Sequence, residues 1–113
     1  MSNNESASVY IDIDDALKRV GGNKALYKKL LGRFTDGNYL EAIETALQSG
    51  DMEASAREAH TLKGVSANLS LEAVRALSVD LEAKIKAGED YSGVLSDLQE
   101  AYVITKEKIA EVE

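Results

Sequence analysis

Hydrophobic residues return every three or four positions along most of this chain, which is the spacing of an amphipathic α-helix. Five stretches show this period, at about residues 12–20, 23–50, 51–68, 70–87 and 90–113. Between them lie glycines and helix-capping residues that end one helix and begin the next. No alternating run is long enough to indicate a strand, so the pattern predicts an all-α protein.

The second stretch contains two apolar stripes that are out of phase on an ideal helix. The first includes Leu30 and Phe34, and the second includes Leu40 and Ile43. The residues between the stripes, 35–38, have poor helix propensity. We therefore expect either one kinked helix or two separate helices over this stretch.

The number and length of the helices predict the architecture. Four substantial amphipathic helices joined by short loops indicate an antiparallel four-helix bundle, with the short first helix as an additional N-terminal helix at one end. The length of 113 residues fits one domain. We assign residues 11–113 to the bundle domain and the polar residues 1–10 to a disordered N-terminal tail.

Composition and charge exclude several classes of protein. The chain has no cysteine, which removes disulfide frameworks and thiolate metal sites. Thirteen basic and 20 acidic residues give a net charge of −7, which disfavours binding to nucleic acid or to anionic membranes. No apolar run approaches the ~20 residues needed to cross a bilayer. We expect a cytoplasmic monomer with no nucleic-acid partner and no direct membrane contact.

The third stretch carries His60, the only histidine of the chain. On a helical wheel at about 100° per residue, one side of this segment faces the core. That side consists of Ala59, Leu62, Val65 and Leu69, with Ser55 and Ser66 at its margins. His60 points roughly 150° or more away from the centre of this group and should face solvent.

The residues one and two turns from His60 are unusually small. Ala56, Gly64 and Ala67 lie at i−4, i+4 and i+7, and Lys63 lies at i+3. A glycine inside a helix costs about 1 kcal/mol relative to alanine. We interpret Gly64 as leaving access to His60, Lys63 as a cation for a phosphate, and the two alanines as part of an open partner-docking surface.

Other interpretations of this face are weaker but distinct. A lone surface histidine often has no function, and the bundle could serve only to bind a partner protein. A haem or metal site on His60 lacks any second histidine or cysteine, so we predict no metal site.

Acid pairs such as Asp14-Asp15 lie at helix starts, where capping explains them. No glycine-rich phosphate loop is present, which argues against a nucleotide site.

The segment from Ala59 to Leu69, Ala-His-Thr-Leu-Lys-Gly-Val-Ser-Ala-Asn-Leu, closely resembles the signature of histidine-containing phosphotransfer (HPt) domains, whose core is His-x-x-Lys-Gly. The resemblance extends from about Ile11 to Gly88. It implies a four-helix bundle with an added N-terminal helix. One departure is Ser70, where many members have glycine, and we expect Ser70 to cap the next helix. The family often places another polar residue of the neighbouring helix near the phosphate, but we assign none, although Glu82 lies on that helix.

The resemblance implies a phosphoryl carrier rather than an enzyme. His60 would accept a phosphoryl group from an aspartyl phosphate of a receiver domain, or from a hybrid sensor histidine kinase, and pass it to a response regulator. Lys63 would hold the phosphoryl oxygens, and Gly64 would give access. The chain would need no cofactor of its own, since the receiver domain would supply Mg²⁺. The sequence does not indicate which imidazole nitrogen reacts.

Overall fold

Helices account for all the regular structure in the computed structural model, which describes residues 10–112. They are α1 (Ile13–Arg19), α2 (Lys24–Asp36), α3 (Tyr39–Gln48), α4 (Met52–Asn68), α5 (Glu72–Ala87) and α6 (Ser92–Ala110). The predicted all-α class is therefore confirmed for this part of the chain. The predicted disordered tail lies outside the described residues except for Tyr10, which is partly buried against the core.

Three helices begin where the sequence places a capping side chain. These N-cap residues are Asp12, Asn23 and Asp51, at the starts of α1, α2 and α4. Their side-chain oxygens accept hydrogen bonds from the backbone N–H groups of Asp15, Leu26 and Ala54, at 3.1, 3.0 and 3.0 Å. Each cap satisfies one of the N–H groups that have no partner within the helix. The α4 cap fixes where the His60 helix begins.

The second predicted stretch forms two helices rather than one kinked helix. Helix α2 ends at Asp36, Gly37 is extended, and α3 begins at Tyr39 after Asn38. The weak helix formers at this junction allow the chain to turn, and the two out-of-phase stripes can then both face the core. The ring of Phe34 stacks on that of Tyr39 across the junction, with 5.7 Å between centroids.

A single hydrophobic core joins the five longer helices. Each contributes at least one side chain with almost no exposed surface: Tyr27, Phe34, Ile43, Leu62, Leu81 and Leu98. Helix α4 packs against α3 and most extensively against α5, which in turn packs against α6. Within residues 10–112, no helix combines the length and apolarity required to cross a membrane.

The loop between α4 and α5 is tied to the N-terminal helix through Ser70. The predicted capping role of Ser70 is wrong, because Leu71 is the N-cap of α5 and makes no side-chain cap bond. Ser70 instead has a left-handed backbone with φ 57°, which glycine adopts without steric cost. The Ser70 hydroxyl donates to Asp15 Oδ2 at 2.8 Å, and its carbonyl accepts from the Asp12 N–H at 2.9 Å. The chain thus holds this turn with hydrogen bonds.

Candidate functional site

Helix α4 presents His60 on its solvent side, as the helical wheel predicts. The His60 side chain is 61% exposed, whereas Ala59 and Leu62 are fully buried. Ser55 and Ser66, which we expected at the margins of the core side, are also fully buried. Their hydroxyls donate to backbone carbonyls one turn earlier in the chain, so that burial leaves neither without a partner.

A carboxylate of the neighbouring helix holds one nitrogen of the imidazole. Nδ1 of His60 lies 3.2 Å from Oε2 and 3.3 Å from Oε1 of Glu82 on α5. The Glu82 side chain is only 13% exposed, because it sits where α5 packs against α4. Sequence reasoning left this residue unassigned. The available signal was its place beside Leu81 at the border of the core-facing stripe, where a carboxylate is unusual.

The same carboxylate also accepts a hydrogen bond from a lysine one turn further along α5. Nζ of Lys86 lies 3.0 Å from Oε2 of Glu82, in the favourable order of acid before base at i, i+4. Partial burial raises the pKa of the Glu82 carboxyl, but the hydrogen bonds from Lys86 and then His60 outweigh it and hold that pKa below its usual value. Glu82 is therefore ionised at neutral pH.

An ionised carboxylate can only accept hydrogen bonds, so the proton of neutral His60 belongs on Nδ1. The lone pair of neutral His60 is then on Nε2, and no residue described in the structure forms a hydrogen bond with that nitrogen. The side chain is also largely exposed. In its neutral form the imidazole therefore presents Nε2 as an accessible nucleophile at the surface.

The other predicted residues lie around the imidazole with different exposures. Gly64 is exposed, and a Cβ built on it would meet no atom within 4 Å, so packing within the described chain does not require a glycine there. Lys63 and Ala67 are partly exposed. Ala56 is only 7% exposed and belongs to the core, which corrects the expectation that it lies on the open surface. It is buried because α5 covers that side of α4.

Ala56 instead lines a groove that runs between α4 and α5 beside His60. The groove has a volume of about 590 Å³. Ala56 and Ile85 provide apolar surface in it, Met52 lies at the start of α4, and Arg57 and Lys86 add positive charge. Among the residues that the structure describes, no group of three or more His, Cys, Asp or Glu side chains could hold a metal ion.

Comparison with protein-family models gives a match to the Hpt domain over residues 35–107, from the end of α2 into α6. Comparison with curated proteins and with solved structures found no match. The matched region contains both His60 and Glu82 and covers more than half of the chain. Hpt domains are helical phosphocarriers that interact with receiver domains and histidine kinases. The chain therefore belongs to the Hpt domain family, whose members carry out histidine-containing phosphotransfer in two-component signalling.

Proposed function

We propose that His60 is the residue of this chain that carries the phosphoryl group, and that Nε2 is the nitrogen that reacts. The observation that carries the proposal is the hydrogen bond between Nδ1 and Glu82, which leaves Nε2 as the exposed acceptor. The donor would be an aspartyl phosphate of a receiver domain, and the next acceptor would be the receiver domain of a response regulator.

The transfer requires little chemistry from this chain. The Nε2 lone pair forms a bond to phosphorus while the bond from phosphorus to the aspartyl oxygen breaks, and the bonding electrons leave with the carboxylate. The proton on Nδ1 stays in place, and Glu82 stabilises the positive charge that develops on the ring. Mg²⁺ on the receiver domain would stabilise the transferring phosphoryl oxygens. The reverse displacement by an aspartate regenerates His60.

Two neighbours of His60 have supporting roles in this proposal. Lys63 lies one turn along α4, where its ammonium group can reach oxygens of a phosphoryl group on the imidazole. Gly64 removes side-chain bulk from the path of the receiver domain, and nothing in the described chain fills that space. Ala67 is partly exposed two turns beyond His60, and its small side chain leaves the adjoining surface open to the receiver domain.

We also propose the arrangement of the helices and the place of the chain in the relay. The antiparallel four-helix bundle would consist of α4, α5, α6 and a broken helix made of α2 and α3. Helix α1 would be the added N-terminal helix. No nucleotide-binding site is needed, because a separate hybrid sensor histidine kinase would introduce the phosphoryl group. A cytoplasmic location, a monomeric state and the absence of direct membrane contact stay predictions from composition.

Phosphotransfer from a radiolabelled receiver domain tests the proposal. The wild-type chain should acquire label that is stable to base and labile to acid, and His60→Gln should acquire none while keeping its helical circular dichroism. Equal labelling of both proteins would show that another residue accepts the phosphoryl group. Receiver binding without labelling of the wild-type chain would instead support a bundle that only docks a partner.

A further inference from the structure

One carboxylate oxygen of Glu82 contacts both the imidazole of His60 and the ammonium group of Lys86. Oε2 lies 3.2 Å from Nδ1 of His60 and 3.0 Å from Nζ of Lys86. The carboxylate is largely buried, whereas the Lys86 side chain is 64% exposed. A solvent-exposed lysine therefore neutralises part of the negative charge that a largely buried carboxylate places beside the imidazole.

The charge on the imidazole determines how readily a phosphoryl group leaves it. In hydrolysis, water attacks phosphorus, the bond from phosphorus to Nε2 breaks, and its electron pair stays on Nε2. When Nδ1 already carries a proton and the ring is cationic, the departing group is neutral imidazole, so the bond breaks more easily. Any nearby negative charge favours the cationic ring, and any charge that cancels it has the reverse effect.

We propose that Lys86 is a positioning residue that sets the lifetime of phosphorylated His60. Its ion pair with Glu82 neutralises part of the negative charge of the carboxylate and so weakens the effect of that charge on the imidazole. This inference rests on the proposed function of His60. In this inference Glu82 accelerates the loss of the phosphoryl group from His60, and Lys86 slows that loss.

The other charged groups near His60 do not duplicate this role. Glu53 and Arg57 line the same groove from α4, and Lys63 lies one turn beyond His60 on that helix. Helix α5 contributes Glu82 and Lys86 to the groove. On α3, the other long helix packed against α4, Glu44 pairs with Gln99 of α6. Lys86 is the lysine placed within an ion-pair distance of Glu82 in the described structure.

The test is the rate at which radiolabelled phosphate is lost from the isolated, phosphorylated protein between pH 5 and 9. Lys86→Gln should lose phosphate faster than wild type at neutral pH, by up to about fivefold, because exposed ion pairs are weak. Glu82→Gln, which keeps an acceptor oxygen for Nδ1, should lose it more slowly. The pH at which the rate changes should move up in the first variant and down in the second.

Coupling between the two residues separates this mechanism from a structural effect. Lys86→Gln should have no further effect in a Glu82→Gln background, since the lysine acts through the carboxylate. Lys86→Arg should retain the wild-type lifetime. Lys84→Gln is the matched control, because Lys84 lies on the same helix but pairs with Glu89 at 3.7 Å, outside the groove.

The outcomes distinguish this inference from the proposed function. Unchanged lifetimes and pH profiles in Lys86→Gln and Glu82→Gln would overturn the role of Lys86 while leaving His60 as the phosphoryl acceptor. A faster loss in Lys86→Gln that persists in the Glu82→Gln background would overturn it as well. Failure of the wild-type chain to accept phosphate at all would overturn the proposed function itself.

Discussion

At the residue scale, the chemistry of the site depends on one pair that joins two helices. The exposure of His60 follows from its phase on α4, which the sequence contains, and the prediction is confirmed by its 61% exposed side chain. The contact with Glu82 depends on how α5 is rotated and translated against α4. That relation is set by the packing of buried residues on both helices, and a helical wheel of either helix alone does not contain it.

Gly64→Leu is predicted to block phosphotransfer without unfolding the protein. The added side chain would project into the space that a receiver domain must occupy, while the described chain offers no atom within 4 Å of a Cβ at this position. Replacing glycine inside a helix also removes a cost of about 1 kcal/mol. Thermal melts should show an unchanged or higher melting temperature, and transfer assays should show almost no labelling.

Gly64→Ala is the control for that variant, because it adds the same Cβ without the larger side chain. It should keep most of the transfer rate and gain the same helix stability. Loss of the helical signal in either variant would mean that Gly64 serves packing rather than access.

Lys63→Ala is predicted to slow transfer without preventing the receiver domain from docking. A charge-assisted hydrogen bond to the phosphoryl group contributes about 1.5–3 kcal/mol, so we expect a rate reduction of about tenfold or more. Stopped-flow transfer kinetics and a separate binding titration measure the two quantities. An unaltered rate would remove Lys63 from the mechanism, and a large loss of affinity would assign it to docking instead.

At the element scale, helix ends were more predictable than the connections between helices. The caps at Asp12, Asn23 and Asp51 act through bonds to residues three positions along, which sequence spacing reveals. The choice between a kinked helix and two helices at residues 35–38 depends on contacts made elsewhere. Phe34 packs not only against Tyr39 but also against Tyr102 of α6, and the ring centroids of Phe34 and Tyr102 are 5.3 Å apart.

The turn at Ser70 shows why its role escaped prediction. A serine before a helix commonly caps it, but here the hydroxyl is directed to Asp15, which is 55 positions earlier in the chain. The left-handed φ of 57° places the side chain toward α1 rather than toward the first turn of α5. A contact over such a sequence separation depends on the tertiary fold.

Ser70→Ala is predicted to destabilise the fold at neutral pH and to do so less in acid. The hydrogen bond from Ser70, followed by that from Arg19, holds the pKa of Asp15 below its ordinary value of 3.8. Because the pKa of Asp15 is lower in the folded state, the stabilisation by its ionised carboxylate is fully present above the ordinary value of 3.8. That stabilisation is lost as the pH falls through the lower pKa of the folded state. The urea midpoint of the variant should therefore be lower than wild type at pH 7, and the difference should narrow below about pH 4.

Ser70→Gly provides the comparison for the strained backbone. It also loses the bond to Asp15, but it relieves the left-handed conformation, so it should be more stable than Ser70→Ala. A difference between wild type and Ser70→Ala that does not change with pH would show that Asp15 does not contribute through its charge.

At the scale of the whole molecule, the core and the site meet at the groove beside His60, because Ala56 and Ile85 belong to the core cluster and also line that groove. The core-facing sides of the five longer helices were predictable because hydrophobic period identifies them, and one cluster unites them. The groove beside His60 was not predictable, because it lies between two helices and takes its charges from both. Substitutions of core residues away from the groove should therefore change the stability of the fold without changing phosphotransfer.

Thr105→Val tests that separation. The Thr105 hydroxyl is fully buried on α6 and has no hydrogen-bond partner in the described structure, whereas valine has nearly the same shape. Removing an unpaired buried hydroxyl should stabilise the fold by about 1 kcal/mol. Denaturant unfolding should show a higher midpoint and transfer assays an unchanged rate. A lower midpoint would indicate that the hydroxyl has a partner after all.

The most direct test of the central claim is nuclear magnetic resonance of the phosphorylated protein with isotopically labelled imidazole nitrogens. His60 is the only histidine, so the spectrum reports one ring. We predict that phosphorylation couples phosphorus to Nε2 and leaves a proton on Nδ1, as expected from the Glu82 contact. Coupling of phosphorus to Nδ1, or a phosphorylated protein whose imidazole signals do not change, would contradict the account.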